Sequence, residues 1–350
     1  MQRKKQRGRI NRRDFLKAAG AAAGLFLEKT GVFVSPAAAA PVPRQSARSS
    51  RIVRVRSDGV WQDALKPSAG VVRKMLSAGI RVFTGKDADD EAWGSLFSPD
   101  DVVGIKLSAL GGARLSSNRE LTDSIIEGLL AAGVKENNII VWERFAHDLP
   151  ALGFKRNTGS KGVRCYTSEV FGGSGGRGYD PDVFIQQGDV RAPVSMIVTR
   201  DVTALINVPV LKDHEVAGIT NTLKNIAFGS LHNTNKLHGN GCDPAIADAC
   251  ALPQIRGKLR LCVVDALRCV YDGGPLDSPR HKWNQNEIHV GADMVALDAI
   301  GWEIIEAKRA ENGLRSLERA GRKPVHVLTA EKRGLGTTDM KNVDVREVRM

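Results

Sequence analysis

Hydrophobic residues occur in short runs that alternate with amphipathic segments from about residue 100 onward. Residues 102–107 form a short apolar run, and a loop of small residues follows it. Residues 119–132 have the periodicity of a helix that ends at Gly133, and residues 138–142 form the next apolar run. A strand, a glycine-containing loop, a helix and a strand in this order predict a βαβ unit. We therefore predict an α/β fold with a mostly parallel sheet and helices on its faces.

The apolar run over residues 204–211 changes abruptly into a polar segment. Lys212, Asp213 and His214 follow it directly, and Thr220, Lys224 and Asn225 come soon after. Ligands of open α/β proteins bind beyond the carboxyl ends of the strands, so this transition predicts part of a site. The other predicted elements are helices over 61–78, 243–252 and 293–307, and strands over 259–266, 288–292 and 325–329.

The same patterns predict where the domain begins and ends. Residues 40–58 are rich in Pro, Ser and Arg and are interpreted as a linker, and residues 59–333 form the α/β domain. Residues 149–180 are a Gly-rich insertion, interpreted as an excursion with short strands that acts as a lid or a small β-subdomain. This segment lacks the order of a phosphate-binding loop, which favours a flexible loop. Residues 334–350 are predicted to be a peripheral tail.

Composition describes a soluble globular protein, and its charge is unevenly distributed. The chain has 350 residues, 42% of them hydrophobic, and a formal net charge of +12. Residues 1–40 contain nine basic and two acidic residues, which leaves 42 basic against 37 acidic residues elsewhere. No basic run interleaved with aromatic residues occurs in that remainder, so we predict no nucleic-acid partner.

The basic amino terminus resembles a twin-arginine export signal. Arg12 and Arg13 precede a mildly hydrophobic Ala/Gly-rich run, and the alanines at 37–39 offer a cleavage site. The run is far shorter than the roughly 20 residues that a membrane span needs, so no stable span is predicted in the mature chain. Residues 1–39 are therefore predicted to direct a periplasmic or secreted protein to the twin-arginine translocation machinery. Proteins of this class are exported folded, which raises the expectation of a bound metal or redox group.

The five cysteines do not form a recognisable metal-binding pattern. Cys165, Cys242, Cys250, Cys262 and Cys269 include no CxxC pair, and their spacings do not match common zinc or iron–sulfur motifs. Cys262 lies within an apolar run and is interpreted as a core residue. Cys242 and Cys250 could form a disulfide, and the odd number leaves at least one thiol free.

Charged side chains follow several predicted strands. Lys106, Glu143, Lys212, His214 and Asp265 lie at or just after strand ends, which parallel strands place on one edge of the sheet. Lysines near helix starts suit a phosphate or a carboxylate. A histidine with carboxylates suits a divalent metal ion. Both kinds of ligand therefore stay open at this point.

Histidines in the central segment leave two roles open. His232 and His238 follow His214, and with Asp243 or Asp248 they would complete a mixed nitrogen and oxygen metal site. Their spacing matches no metal motif, which favours a neutral hydrogen-bonding or acid–base role for His214. The sequence contains no HExxH helix and no phosphate-binding loop motif, and neither a GxSxG elbow nor a GxGxxG fingerprint follows a predicted strand. These two glycine patterns occur in residues 172–178, within the Gly-rich insertion.

The order of the motifs resembles the domain of unknown function 362 family over about residues 100–310. The matching segments are Ile105-Lys106, residues 207–214, Thr220 with Lys224-Asn225, residues 236–238, 246–248, 263–266, 273–275 and 293–299. The family's usual Lys-Thr-His stands here as Lys212-Asp213-His214, which we expect to change the edge of the pocket. Some relatives carry ferredoxin-type cysteine clusters, which this chain lacks, so an iron–sulfur cluster is not expected. The resemblance implies a fold and a site, but no reaction.

The leading hypothesis is an enzyme-like protein that binds a small anionic ligand. Lys212, Lys224 and His214 are the predicted catalytic residues, and His214, Asp265 and Asp298 are the predicted ligands of a metal ion. The residues predicted to bind the anion are Lys106, Thr220, Asn225, Lys236 and His238. Asp298 lies in an apolar helix pattern and needs a partner, for which Lys106 or Lys224 are candidates. The alternatives are a non-catalytic periplasmic redox accessory or cofactor-binding protein, and a structural binding module.

Overall fold

The computed structural model describes residues 50–169 and 178–350 of the chain. Its strands are β1 (Ser50–Arg56), β2 (Val103–Lys106), β3 (Ile139–Glu143), β4 (Arg164–Thr167), β5 (Tyr179–Gln187), β6 (Val190–Ser195), β7 (Ala204–Asn207), β8 (Val210–His214), β9 (Gly218–Thr220), β10 (Leu259–Val270), β11 (Lys282–Gly291) and β12 (Val343–Arg349). Its α-helices are α1 (Ala69–Thr84), α2 (Asp89–Gly94), α3 (Arg119–Ala131), α4 (Asp148–Ala151), α5 (Thr222–Ser230), α6 (Ala245–Ala251), α7 (Pro253–Arg256), α8 (Met294–Glu311) and α9 (Val325–Lys332). The segment predicted to be a twin-arginine signal, with Arg12 and Arg13, lies outside the described residues.

Ten strands form one sheet in the order β12-β1-β11-β10-β7-β2-β3-β4, and β8 pairs with β10 and β9. The neighbours from β10 through β4 all run parallel. Strand β11 is antiparallel to β10 and β1, and β12 is parallel to β1. The predicted α/β fold with a mostly parallel sheet is therefore confirmed. Strands β5 and β6 form a separate antiparallel ribbon. The ribbon begins within the Gly-rich insertion, of which residues 170–177 lie outside the described ranges.

The sheet is buried on both faces, as parallel sheets usually are. Successive residues of β3 alternate between two apolar clusters: Ile140 and Trp142 belong to one, and Ile139 and Val141 to the other. The first cluster includes apolar residues of α5, α6, α8 and α9, and the second includes those of α1, α2 and α3. The domain is thus a helix–sheet–helix sandwich. Within the described ranges, no helix has the length and apolar character that a bilayer crossing requires.

The predicted boundaries of the domain need two corrections. Part of the proposed linker over 40–58 is strand β1, because its arginines have acidic partners on neighbouring strands. Arg51 pairs with Asp344 at 3.0 Å, and Arg54 pairs with Glu287 at 2.9 Å. The carboxyl-terminal segment 334–350 is not a peripheral tail throughout, since β12 pairs with β1 along the whole length of both strands. The first and last segments of the described chain therefore close one edge of the sheet.

Three predicted strands also differ in the structure. The segment predicted as a strand over 325–329 is helix α9, which follows Pro324 and packs His326, Val327 and Ala330 towards α6 and α8. The run over 204–211 is divided between β7 and β8 at Pro209, which has no N–H for a sheet hydrogen bond. The strand predicted over 288–292 begins at Lys282 and lies inside the sheet, between β1 and β10.

Candidate functional site

A cavity of about 300 Å³ lies at the carboxyl ends of β2, β3 and β8. This size is at the lower end of the range for small-molecule sites. Seven of the residues predicted to form the site line the cavity: Lys106, Lys212, His214, Thr220, Lys224, Asn225 and His238. Glu143, which the strand-end pattern also placed on this edge, lines the cavity as well, and further lining residues are Arg144, Phe145, Asp148, Phe228 and Thr234. The predicted edge of the sheet therefore carries a strongly charged cavity that is open to solvent on one side.

Lys106 and Glu143 end the adjacent strands β2 and β3 and form a buried ion pair of 2.9 Å. Lys106 Nζ also donates to the carbonyl of Leu107 at 2.6 Å. Glu143 accepts hydrogen bonds from the backbone N–H groups of Ala109 and Arg144. A Cβ on Gly229 would stand 2.2 Å from Lys106 Cε, so any larger residue there would displace the lysine side chain from this position. The pair forms a fixed wall of the cavity.

Lys212 presents an amine that lacks a hydrogen-bond partner. Lys212 is 1% exposed, and no described atom accepts a hydrogen bond from its Nζ. Burial lowers the pKa of Lys212 to about 8; the charge of Glu143 opposes this change, and Lys224 and Lys106 reinforce it. A buried amine without a partner is costly unless a ligand supplies one. Lys212 is therefore the strongest candidate for direct contact with a ligand.

Lys224 lies in the first turn of α5, near Lys212. Burial lowers its pKa to about 8 as well, and its ammonium lies 4.0 Å from the centre of the Phe228 ring, a cation–π contact. The start of α5 is held by Asp298 of α8. The carboxylate of Asp298 accepts from Thr222 N at 2.7 Å, from Thr222 Oγ1 at 2.5 Å and from Leu223 N at 3.3 Å. Asp298 thus positions the helix that carries Lys224.

The two histidines of the cavity present opposite hydrogen-bonding groups. His214 Nδ1 accepts from the backbone N–H groups of Val216 and Ala217, so the proton of the neutral ring is on Nε2. His238 Nδ1 lies 2.9 Å from the carbonyl of Thr234 and donates to it, so its Nε2 carries a lone pair. The rings stack with centroids 5.6 Å apart. Burial lowers the pKa of both, to about 2 for His214. His214 offers a donor and His238 an acceptor.

Two further groups of the cavity were missed by sequence reasoning. Arg144 follows Glu143 at the end of β3; it stacks on Phe145 at 4.5 Å and contacts the hydroxyl of Thr234. Burial and the charge of Glu143 raise the pKa of Asp148 to about 6. The position of Arg144 just after a strand is the same signal that identified Lys212. Asp148 gave no such signal, because it lies in a short helix within an irregular segment.

The sequence of this chain matches a known protein family. The sequence model described as "Domain of unknown function (DUF362)" matches residues 114–303, which is more than half of the chain. The chain belongs to this family. No curated protein matches it.

Two solved structures resemble the DUF362 chain at low identity. One is a protein from Thermotoga maritima, with 11% identity and a TM-score of 0.40, which covers 73% of this chain and 61% of its own. The other is the lactate racemase apoprotein from Thermoanaerobacterium thermosaccharolyticum, with 10% identity and a TM-score of 0.39; the match covers 74% of this chain and 58% of that protein. The DUF362 chain thus spans less than two thirds of either relative.

The three predicted metal ligands do not come together. Asp265 lies within β10 rather than at its end, and its carboxylate accepts from Asn118 N at 2.7 Å and Nδ2 at 2.8 Å. Asp298 caps α5, and Nδ1 of His214 is occupied by backbone donors. Within residues 50–169 and 178–350, no group of three or more His, Cys, Asp or Glu side chains is placed to hold a metal ion. The predicted grouping was therefore wrong, because both carboxylates bind helix-start N–H groups instead.

Other residues of the predicted set lie away from the cavity. Lys236 is exposed and does not line it, and His232 packs on Tyr179 with ring centroids 4.8 Å apart. Asp248 bonds to Gln187 and Arg333. Cys242 and Cys250 are separate buried thiols, as are the other three cysteines. The cavity is therefore lined by His214 and His238 but not by His232.

Asp213, where the sequence resemblance led us to expect a threonine, faces away from the cavity. Alternation along β8 directs Lys212 and His214 to one side and Asp213 to the other. Asp213 accepts from Gly274 N at 3.0 Å and from Arg322 at 2.8 Å, and Arg322 also contacts Asp272. The expectation that this residue changes the edge of the pocket was wrong. Through Arg322, Asp213 instead links the segment before α9 to strand β8.

Proposed function

We propose that this DUF362 protein is an enzyme that binds a small organic anion in the cavity. The observation that carries the proposal is the unpartnered amine of Lys212, buried beside Lys224. Both pKa values are near 8, so both amines are mostly charged at pH 7. Glu143 does not neutralise them fully, because it already pairs with Lys106. An anionic ligand would supply the missing countercharge and hydrogen-bond acceptor.

The remaining lining residues suit an organic ligand and proton transfer. Phe145, Phe228 and Leu110 provide apolar surface for a carbon skeleton. His238 Nε2 would accept a proton, whereas Asp148, whose pKa is about 6, would donate one. An acid and a base beside the same anion are the usual elements of proton-transfer catalysis. The residues do not fit a divalent cation. Three lysines would repel it, and the lone pair of His214 Nδ1 already accepts hydrogen bonds from two backbone N–H groups.

A melting-temperature screen with matched pairs of compounds tests the proposal. Acetate, malonate, benzoate and inorganic phosphate serve as anions, and acetamide, malonamide and benzamide serve as uncharged controls. We expect at least one organic anion to raise the melting temperature while its amide does not, because only the charged form satisfies Lys212 and Lys224. Stabilisation by amides and anions alike would contradict the proposal. A stoichiometric metal or chromophore in gently purified protein would favour the accessory hypothesis instead.

We further propose that the chain is exported by the twin-arginine pathway to the periplasm or beyond. The support is the sequence around Arg12 and Arg13, followed by a mildly hydrophobic run. Replacing both arginines with lysine should leave the protein in the cytoplasm, since the pathway recognises the arginine pair. Cell fractionation and immunoblotting would measure this. Equal amounts of parent and variant in the periplasm would refute the proposal.

A further inference from the structure

The three lysines of the cavity differ in what holds their amines. Lys106 is fixed by Glu143 and by the Leu107 carbonyl, and Gly229 packs against its side chain. Lys224 is held against the Phe228 ring. Among the described residues, the Nζ of Lys212 is fully buried and makes no hydrogen bond. Of the three amines it is therefore the one that no ion pair, hydrogen bond or aromatic ring holds.

The surroundings of Lys212 favour its neutral, nucleophilic form. Lys106 and Lys224 add like charges to the effect of burial. With a pKa of about 8, roughly a tenth of Lys212 is neutral at pH 7, compared with well under a thousandth of an ordinary lysine. Desolvation and neighbouring cations are the recognised means by which proteins activate lysine as a nucleophile towards carbonyl compounds.

We propose that the small anion is an oxo acid and that Lys212 forms an imine with its carbonyl carbon. This inference rests on the proposed function. The charged Lys212, with Lys224 and Arg144, would attract the anion; Lys224 and Arg144 would then hold its carboxylate while Lys212, after losing its proton, meets the carbonyl group.

The step balances without any co-reactant. The lone pair of Lys212 Nζ forms the new C–N bond, and the carbonyl oxygen takes a proton from the Asp148 carboxyl group. The nitrogen loses a proton to His238 Nε2, and His238 passes that proton to the oxygen. The oxygen then leaves as water with the C–O electron pair, and the nitrogen lone pair forms the C=N bond. The products are one protonated imine, one water molecule and the carboxylate of Asp148. The carbon next to the imine carbon could then lose a proton, or a carboxylate attached to it could leave as carbon dioxide, because the protonated imine withdraws electrons.

Reductive trapping tests the inference. The protein is incubated at pH 7 with pyruvate, 2-oxobutyrate or 2-oxoglutarate, and sodium borohydride then reduces any imine to a stable amine. Intact mass and peptide mapping would locate the adduct. We expect labelling of Lys212 to exceed that of an exposed lysine such as Lys74 by a few hundredfold, because a pKa of about 8 leaves far more of the Lys212 amine neutral than an ordinary lysine has. Lactate, which lacks the carbonyl group, should give no adduct.

The outcomes separate this inference from the proposed function. If anions raise the melting temperature but no oxo acid labels Lys212, the imine is refuted and anion binding stands. If neither effect occurs, both are refuted. Labelling spread over exposed lysines, or found on Lys224, also overturns the inference. Lys212→Arg should abolish the adduct, and mapping in the parent protein keeps the test valid should this variant fold poorly.

Discussion

Replacing Lys212 with methionine should stabilise the protein and at the same time weaken its binding of anions. Burial lowers the pKa of this lysine from 10.5 to about 8. Since one pH unit corresponds to about 1.4 kcal/mol, keeping the ammonium charged in the folded state at pH 7 opposes folding by about 3 kcal/mol. Methionine has a similar length and no charge, so Lys212→Met removes this penalty. For a chain of this size the gain corresponds to roughly 5 °C in melting temperature.

The effect of Lys212→Met on stability should depend on pH. The folded protein loses the Lys212 proton near pH 8, whereas the unfolded chain keeps it to pH 10.5. The parent therefore gains stability as the pH rises from 8 to 10.5, and the advantage of the variant should fall below about 1 kcal/mol at pH 10. Guanidinium unfolding followed by tryptophan fluorescence at pH 7 and pH 10 would measure both differences.

Lys74→Met is the matched control for this experiment. Lys74 is exposed on α1, away from the cavity, so its replacement should change the unfolding free energy by less than about 0.5 kcal/mol at either pH. A Lys212→Met variant that is less stable than the parent at pH 7 would refute the reasoning. A stabilisation equal at pH 7 and pH 10 would refute it too, because the cause would then not be the lysine charge.

Three other substitutions have distinct expected outcomes. Glu143→Gln should lower the unfolding free energy by roughly 3 kcal/mol in guanidinium unfolding, because it leaves the buried ammonium of Lys106 without its counterion. Asp213→Thr, which introduces the threonine that the sequence resemblance led us to expect, should cost about 3 kcal/mol through Arg322 yet leave anion affinity within about twofold. Asp298→Asn should remove a pH dependence: the raised pKa of about 7 makes the parent lose about 3 kcal/mol as the pH rises from 4 to 7, with little further loss above pH 8.

Each of these outcomes has a result that would contradict it. A Glu143→Gln protein as stable as the parent would mean that the Lys106–Glu143 ion pair does not contribute to stability. Loss of anion affinity in Asp213→Thr would place Asp213 in the cavity, against the alternation along β8. Parallel pH profiles for Asp298→Asn and its parent between pH 4 and pH 7 would show that this carboxyl group does not titrate there.

The sequence predicted the part of the site that depends on local pattern. Lys106, Lys212 and His214 follow apolar strand segments, and parallel pairing alone is enough to bring strand ends together. The roles of Asp265 and Asp298 were not predictable in this way. Each binds the start of a helix that lies 147 or 76 residues away in the chain, so its partner is set by tertiary packing. The local sequence around a carboxylate does not show whether it caps a helix or binds a metal ion.

The errors in the fold have similar causes. Strand β1 contains as many arginines as apolar residues, and only its acidic partners on β11 and β12 make a strand favourable there. Helix α9 begins with Val-His-Val-Leu, an apolar run too short to distinguish helix from strand by periodicity. Its helical form is favoured by Pro324 and by packing on α6 and α8. Long, regular elements such as α8 were predicted correctly in kind, since their pattern extends over several turns.

The pH dependence of anion affinity tests the central claim most directly. Isothermal titration calorimetry would follow benzoate, or the organic anion with the largest thermal shift, from pH 6 to pH 10. If charged Lys212 and Lys224 bind the anion, the dissociation constant should be nearly constant to about pH 8 and then rise about tenfold per pH unit for each lysine that must be charged. An affinity that is the same at pH 7 and pH 10 would contradict the claim.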